Sequence, residues 1–221
     1  FKIIDCELKK TIINPPKKIA YPKFIHLLKY GGFPEPYLRQ CPRYTSKWQS
    51  LSPHQLLRQD IRHHTKIHEL GRIQTYAHLL EQQYDGHLLN YSQIAERLKV
   101  SVDTVHRWTD TLSSLYYCFT VRPWSKNLDR TLIKEPKIYL WDWSIVSNRI
   151  ARLENFVASH LLKAVHHWNE HNLGQFELYY IRDWEKREID FLVTRNNVPW
   201  FLVDVAQEDK KPLSYELEHY H

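Results

Sequence analysis

Methionine is absent and glycine is scarce: the 221 residues hold no Met and only five Gly, at positions 31, 32, 71, 86 and 174. Neither G-x-G-x-x-G nor G-x-x-x-x-G-K-[ST] can be assembled from them, which removes a Rossmann or P-loop phosphate cradle from this stretch of chain. Cysteine is equally sparse. Cys6, Cys41 and Cys118 are odd in number and far apart, so they supply neither a disulfide framework nor a thiolate metal knuckle, and they fit a reducing, cytoplasmic setting. No apolar run approaches the roughly 18 residues of a membrane span, and no basic-then-apolar signal opens the chain. A chain that begins at Phe1 without any methionine is expected to be a piece of a longer protein.

Hydrophobic residues make up 43% of the chain and charged residues 25%, a balance that buries a core and argues against disorder. The length suits one large or two small domains. The net charge of +6 is unevenly distributed. Residues 1–49 hold 10 Lys/Arg against 3 Asp/Glu, whereas residues 138–221 hold 9 against 13. A phosphate-binding surface needs clustered cations, so any such surface is expected towards the front, where a solvated lysine-rich segment explains the charge equally well.

Along the chain, residues 1–23 read as a Lys-rich lead with a short strand at 1–5. A short helix at 24–30 is stopped by Gly31-Gly32. A helix over 52–70 follows, with Ser52 as its cap and Pro53 in its first turn, then a second over about 72–84 ended by Asp85-Gly86. Ser92 and Ser101 mark the starts of two further helices, through Leu98 and Leu115, joined by Lys99-Val100. Ile94, Ala95 and Leu98 face Val105, Trp108 and Leu112, the packing logic of a helix-turn-helix. Strands at 116–121 and 138–141, joined by a basic loop, would make it winged. Its second helix exposes Asp103, His106, Arg107 and Asp110, a meagre set for reading bases. His106 and Arg107, with Lys126, Arg130, Lys134 and Lys137 of the wing, are the candidate nucleic-acid contacts. Trp124 beside Lys126 is a candidate for stacking on a base.

The second half reads as a long helix over 152–171 followed by strands at 176–181, 188–194 and 200–205, the last two joined at Asn196-Asn197. Asp190 and Asp204 interrupt apolar strand sequence, where a carboxylate is costly unless it is paired, hydrogen-bonded or metal-bound. Two such acids on adjacent strands, with Glu154 from the preceding helix, form a candidate Mg²⁺ site of the kind that cleaves phosphodiesters. Such a nuclease also needs a cation two residues beyond the second acid, on the same face of the strand. That position is Ala206. Lys186, Lys210 or Lys211 are possible substitutes, and salt bridges to Arg182 or Arg187 are the structural alternative. His64–His68 and His167–His171 have the one-turn spacing of metal ligands, but no further ligand completes either pair.

Several segments together carry a resemblance: Gly31-Gly32-Phe33-Pro34-Glu35-Pro36, Arg58-Gln59-Asp60-Ile61, the helix pair within 92–115, the segment from Lys134 through Lys137 to Asp142, Glu154-Asn155, and Arg187-Glu188-Ile189-Asp190-Phe191. In this order they resemble the C-terminal region, described as a domain of unknown function, of a prokaryotic family of AAA-type ATPases. The resemblance implies an α+β fold: a winged helix-turn-helix module followed by a restriction-endonuclease-like α/β module. It also implies a partner ATPase module upstream that carries ATP and Mg²⁺. The matching acids would be Glu154, Asp190 and Asp204, with Asp204-Val205-Ala206 standing where the family usually has Glu-Val-Lys. The expected organisation is a basic lead over 1–50, a helical and winged-helix unit over 51–140, and a nuclease-like unit over 141–221. The expected role is an accessory, non-catalytic region that recognises nucleic acid or a protein, with no membrane partner. The alternatives are a Mg²⁺-dependent DNA nuclease that uses those three acids with a relocated lysine, and a purely structural oligomerisation tail.

Overall fold

The computed structural model describes residues 2–5, 21–59, 67–82, 88–124, 135–182 and 187–205. Seven α-helices and six strands lie within them, and the architecture is α+β with a mixed sheet. Strand β1 (Lys2–Asp5) is followed by helices α1 (Tyr21–Tyr30), α2 (Pro34–Arg39), α3 (Pro42–Gln59) and α4 (Ile67–Gln82). Gly31 ends α1 at φ +83°, and Pro34 opens α2, each residue in the role its backbone suits. The helix expected over 52–70 is instead α3, which starts ten residues earlier at Pro42 and runs through Pro53. A proline inside a helix forfeits a backbone hydrogen bond. The turn before it is anchored from outside: Trp48 Nε1 donates to Asp142 Oδ2 (3.1 Å), and Gln49 Nε2 donates to the Ser144 carbonyl (2.9 Å). Likewise α4 begins before Gly71 rather than after it.

Helices α5 (Tyr91–Leu98) and α6 (Val102–Ser114) match the expected pair. Asn90, not Ser92, caps α5 by accepting from Gln93 N at 2.8 Å, whereas Ser101 caps α6 as expected. Lys99 turns the chain between them at φ +54°. Ile94, Ala95, Val105, Trp108 and Leu112 are all buried between the two helices and their neighbours, and the Tyr76 hydroxyl meets the Thr109 hydroxyl at 2.7 Å inside that core.

Strands β2 (Cys118–Pro123) and β3 (Lys137–Leu140) pair antiparallel. A 3-10 turn (Trp143–Ile145) then leads into α7 (Arg149–Glu170), capped by Asn148. Strands β4 (Phe176–Arg182), β5 (Glu188–Arg195) and β6 (Val198–Asp204) form an antiparallel meander. The turn joining β5 to β6 puts both Asn196 and Asn197 at positive φ, the conformation that tight hairpins require and asparagine tolerates. The full sheet order is β1-β6-β5-β4-β2-β3. Among the described residues its one parallel pairing, β2 beside β4, joins the two halves of the chain into one sheet.

Helix α7 lies across one face of that sheet, burying Phe156, Val157 and Ala158 with Tyr139, Tyr180, Phe191 and Val203. A smaller cluster of Ile181, Ile189, Leu192 and Leu202 occupies the other face. Trp124, expected as an exposed stacking ring, is half-buried against this cluster, because its backbone N–H bonds to the Tyr180 carbonyl (2.7 Å) and turns the chain inward. Gly31 and Gly32 let α1 and α2 approach the 3-10 turn. A Cβ on Gly32 would lie 2.4 Å from the Trp143 ring, and one on Gly31 would lie 2.7 Å from Asp142 Oδ1.

Candidate functional site

The sheet and α7 converge on one ionic cluster. On β3, alternate residues share a face, so Lys137 and Tyr139 both project towards α7. Lys137 Nζ lies 3.1 Å from Glu154 Oε1, and Tyr139 donates its hydroxyl to the same oxygen at 2.7 Å. From β5, Asp190 Oδ1 stands 3.3 Å and Glu188 Oε1 stands 2.5 Å from the same ammonium. Asp190 reaches this side because of a bulge. Between Tyr179↔Leu192 and Ile181↔Ile189, two residues of β5, Asp190 and Phe191, oppose the single Tyr180 of β4. A bulge of this kind re-aims a side chain, and here it sends both Asp190 and Phe191 to the helix-covered face. The second carboxylate oxygen of Asp190 accepts the backbone N–H of Val205 at 2.8 Å. Arg182 Nε adds a longer ion pair to Glu188 at 3.8 Å.

Lys137 is 1% exposed. Burial alone would discharge it, but the carboxylates of Glu154, Asp190 and Glu188 outweigh burial and hold its pKa above the ordinary lysine value. Burial, reinforced by Asp190, pushes the Glu154 carboxyl above its ordinary range against the pull of Lys137 and the Tyr139 hydrogen bond. The cluster is therefore one charged ammonium shared by three carboxylates.

This placement corrects two sequence expectations. Lys137, expected on a basic wing facing phosphate, points into the protein, because the strand alternation that buries Tyr139 buries it too. Asp204 does not join Glu154 and Asp190. On β6, Phe201, Val203 and Val205 pack towards α7 while Leu202 packs on the opposite cluster, so alternation turns Asp204 to the face away from Lys137. Among the described residues, no group of three or more His, Cys, Asp or Glu side chains is arranged to hold a metal ion. A Mg²⁺ ion does not fit the acids as they stand, because the Lys137 ammonium occupies the space among them.

Two members of the cluster, Glu188 and Tyr139, were not singled out from the sequence, nor was its support, Asn155. The signal for Lys137 was present: a lysine opening the apolar strand Lys137-Ile138-Tyr139-Leu140, two residues from a tyrosine of the same face. Asn155 is fully buried and clamps the end of β3, accepting from Leu140 N at 2.9 Å and donating to Leu140 O at 2.6 Å. An asparagine inside the stripe that carries Phe156 and Val157 is the trace it leaves in the sequence.

On α6, His106 and Arg107 are exposed together with Asp103 and Asp110. The His106 ring stacks on Tyr91 with centroids 3.7 Å apart. Lys126, Arg130 and Lys134 lie outside the described residues, as do Ala206, Lys186, Lys210, Lys211 and the side chains of His64 and His68. His171 donates Nδ1–H to the His167 carbonyl at 2.8 Å, which commits one nitrogen of that pair to the helix backbone.

Residues 21–156 match a family model described as a domain of unknown function, DUF8612. The match includes Lys137 and Glu154; Glu188, Asp190 and Asp204 lie beyond it. No curated protein and no solved structure matches the chain.

Proposed function

Because the chain belongs to the DUF8612 family of domains of unknown function, we propose a role on physical grounds: it is a non-catalytic recognition region of an AAA-type ATPase, built from a winged-helix unit and a nuclease-like unit whose acidic centre has become a structural joint. The ATPase parentage rests on the resemblance of the segments from Gly31-Gly32 to Asp190-Phe191. The loss of catalysis rests on one observation, the Lys137 ammonium bonded to Glu154, Glu188 and Asp190. An ammonium that satisfies the acids makes them a tie between β3, β5 and α7, and Asp204 on the far face adds nothing to a metal site. For the partner, the exposed face of α6 offers two carboxylates, Asp103 and Asp110, beside Arg107 and His106. A phosphate backbone is repelled by the carboxylates, so a protein surface of mixed charge suits this face better than DNA. A gel shift with duplex DNA over a salt series tests the choice. The protein-partner reading expects no retention at about 0.15 M salt, and salt-sensitive retention lost in Arg107→Ala would overturn it.

A second reading draws on the same ammonium. Lys137 beside Asp190 is a relocated form of the lysine missing at Ala206, as a Mg²⁺-dependent DNA nuclease with Glu154, Asp190 and Asp204 would require. That reading needs Asp204 to swing across the sheet. Magnesium-dependent nicking of a supercoiled plasmid, abolished by Asp190→Ala, would establish it. No nicking by the intact chain favours the recognition role.

A further inference from the structure

On the far side of α7 from the ionic cluster, between that helix, the turn after α6 and the segment 141–143, lies a cleft of about 700 Å³. That is the size of a small-molecule site, which commonly spans about 300–1,000 Å³. Its walls are aromatic, formed by Phe33, Tyr116, Trp141 and Trp143. Tyr116 stands on the rim, 72% exposed, at φ +54°. A left-handed backbone is disfavoured for an aromatic residue, and a ring held in water contributes little to folding. Among the described residues its one ring neighbour is Trp141, at a centroid distance of 5.9 Å. A flat ligand ring would cover both.

The other wall is polar and graded. Lys163 and Glu170 both line the cleft from α7, and seven residues of helix separate them by about 10 Å. His166 and His167 lie between them. A cation at one end and a carboxylate at the other select a ligand with an anionic group at one end and N–H or O–H donors at the other. His160, one turn beyond Lys163 on the side away from Glu170, closes that end of the cleft with a fixed acceptor. Its Nδ1–H donates to the Phe156 carbonyl at 2.8 Å, which leaves Nε2 of the neutral ring as an acceptor. Burial against Phe156 and Trp143, together with nearby Lys163, keeps that ring neutral by lowering its pKa.

We propose that this cleft binds a nucleoside phosphate, with the base on Tyr116 and Trp141, the phosphate at Lys163, and the hydroxyl or amino donors towards Glu170. Stacking tolerates any base because each has a π-face, and lysine serves phosphate as a point charge. The site is separate from both the ionic cluster and the α6 face, so its failure leaves the recognition role standing.

Calorimetric titration of the 221-residue chain with adenosine 5′-monophosphate, adenosine and inorganic phosphate tests the proposal. The monophosphate is expected to bind at least about tenfold more tightly than either fragment, since it alone meets both walls. Tyr116→Asn keeps the left-handed backbone, which asparagine accepts, and removes the ring; Lys163→Gln removes the charge from an exposed helix position. Each is expected to weaken the monophosphate about tenfold with an unchanged circular dichroism spectrum. Should Tyr116→Asn unfold, Lys163→Gln carries the test. No binding of the monophosphate, binding unchanged in both variants, or adenosine or phosphate bound as tightly as the monophosphate overturns the proposal. A single-stranded oligoadenylate distinguishes the source of the ligand. Competition with the monophosphate places the bound unit on a strand, no competition makes it the free nucleotide, and strand binding without monophosphate binding overturns the proposal.

Discussion

Truncating the Lys137 side chain to an apolar one strands three carboxylates. Removing one partner of a buried ion pair typically costs about 3–5 kcal/mol, and Glu154, Glu188 and Asp190 all lean on this one ammonium. Lys137→Met is therefore expected to lower stability by about 3 kcal/mol in urea unfolding, and Lys137→Met with Glu154→Gln to recover part of the loss. A double variant no more stable than the single would show that the ammonium does not hold Glu154. The thiols give a second test at this scale. Burial pushes Cys118 up to about 12, so at pH 8 it holds almost no thiolate, the reactive form, while Cys41 is exposed. Maleimide labelling followed by mass mapping is expected to modify Cys41 in the native chain and Cys118 only after denaturation. His160 supplies a pH dependence. Its folded pKa lies below the ordinary histidine value of about 6.5, so as pH falls through that value the unfolded chain takes up the proton first and stability falls. His160→Gln is expected to flatten the stability difference between pH 7 and pH 5, measured by denaturant midpoints.

Among the elements, those with a strong internal period were readable from sequence. The α5–α6 pair, α7 and the five strands from β2 to β6 occur where alternation or a 3.6-residue stripe marks them. Before residue 84, helix α2 was not expected from the sequence and α3 starts ten residues earlier than expected, where tertiary anchors rather than periodicity hold it. Trp48 and Gln49 reach Asp142 and Ser144, 94 and 95 residues away, and no local pattern encodes such a contact. The acidic site was half legible for a similar reason. Glu154 and Asp190 were found as acids in apolar surroundings, but a strand read with unbroken alternation misplaces Asp190, and the bulge opposite Tyr180 depends on the pairing of two strands. Asn155 is the element-scale hinge of this arrangement. Asn155→Leu leaves the N–H and C=O of Leu140 without partners, each costing about 1–3 kcal/mol, so a loss of about 3 kcal/mol is expected in urea unfolding. A loss below 1 kcal/mol would mean that β3 closes without it.

At the scale of the whole molecule, the parallel pairing of β2 with β4 makes the two halves of the chain share one sheet. Lys137 belongs to the first half by sequence, yet its ammonium completes an ionic cluster with Glu188 and Asp190 of the second. Shared sheet and shared cluster couple the halves energetically. Urea unfolding followed by tryptophan fluorescence and by far-ultraviolet circular dichroism is expected to give one coincident transition; two separated midpoints would show that the halves fold independently.

Strand β3 lies at one border of the sheet, with Asn155 bonded to its final residue, Leu140, and Leu88 bridged to its first, Lys137. Both ends of that border are thus occupied by the chain's own polar groups. Among the described residues, a border finished in this way leaves an incoming strand less free backbone to pair with on that side, which disfavours edge-to-edge growth there.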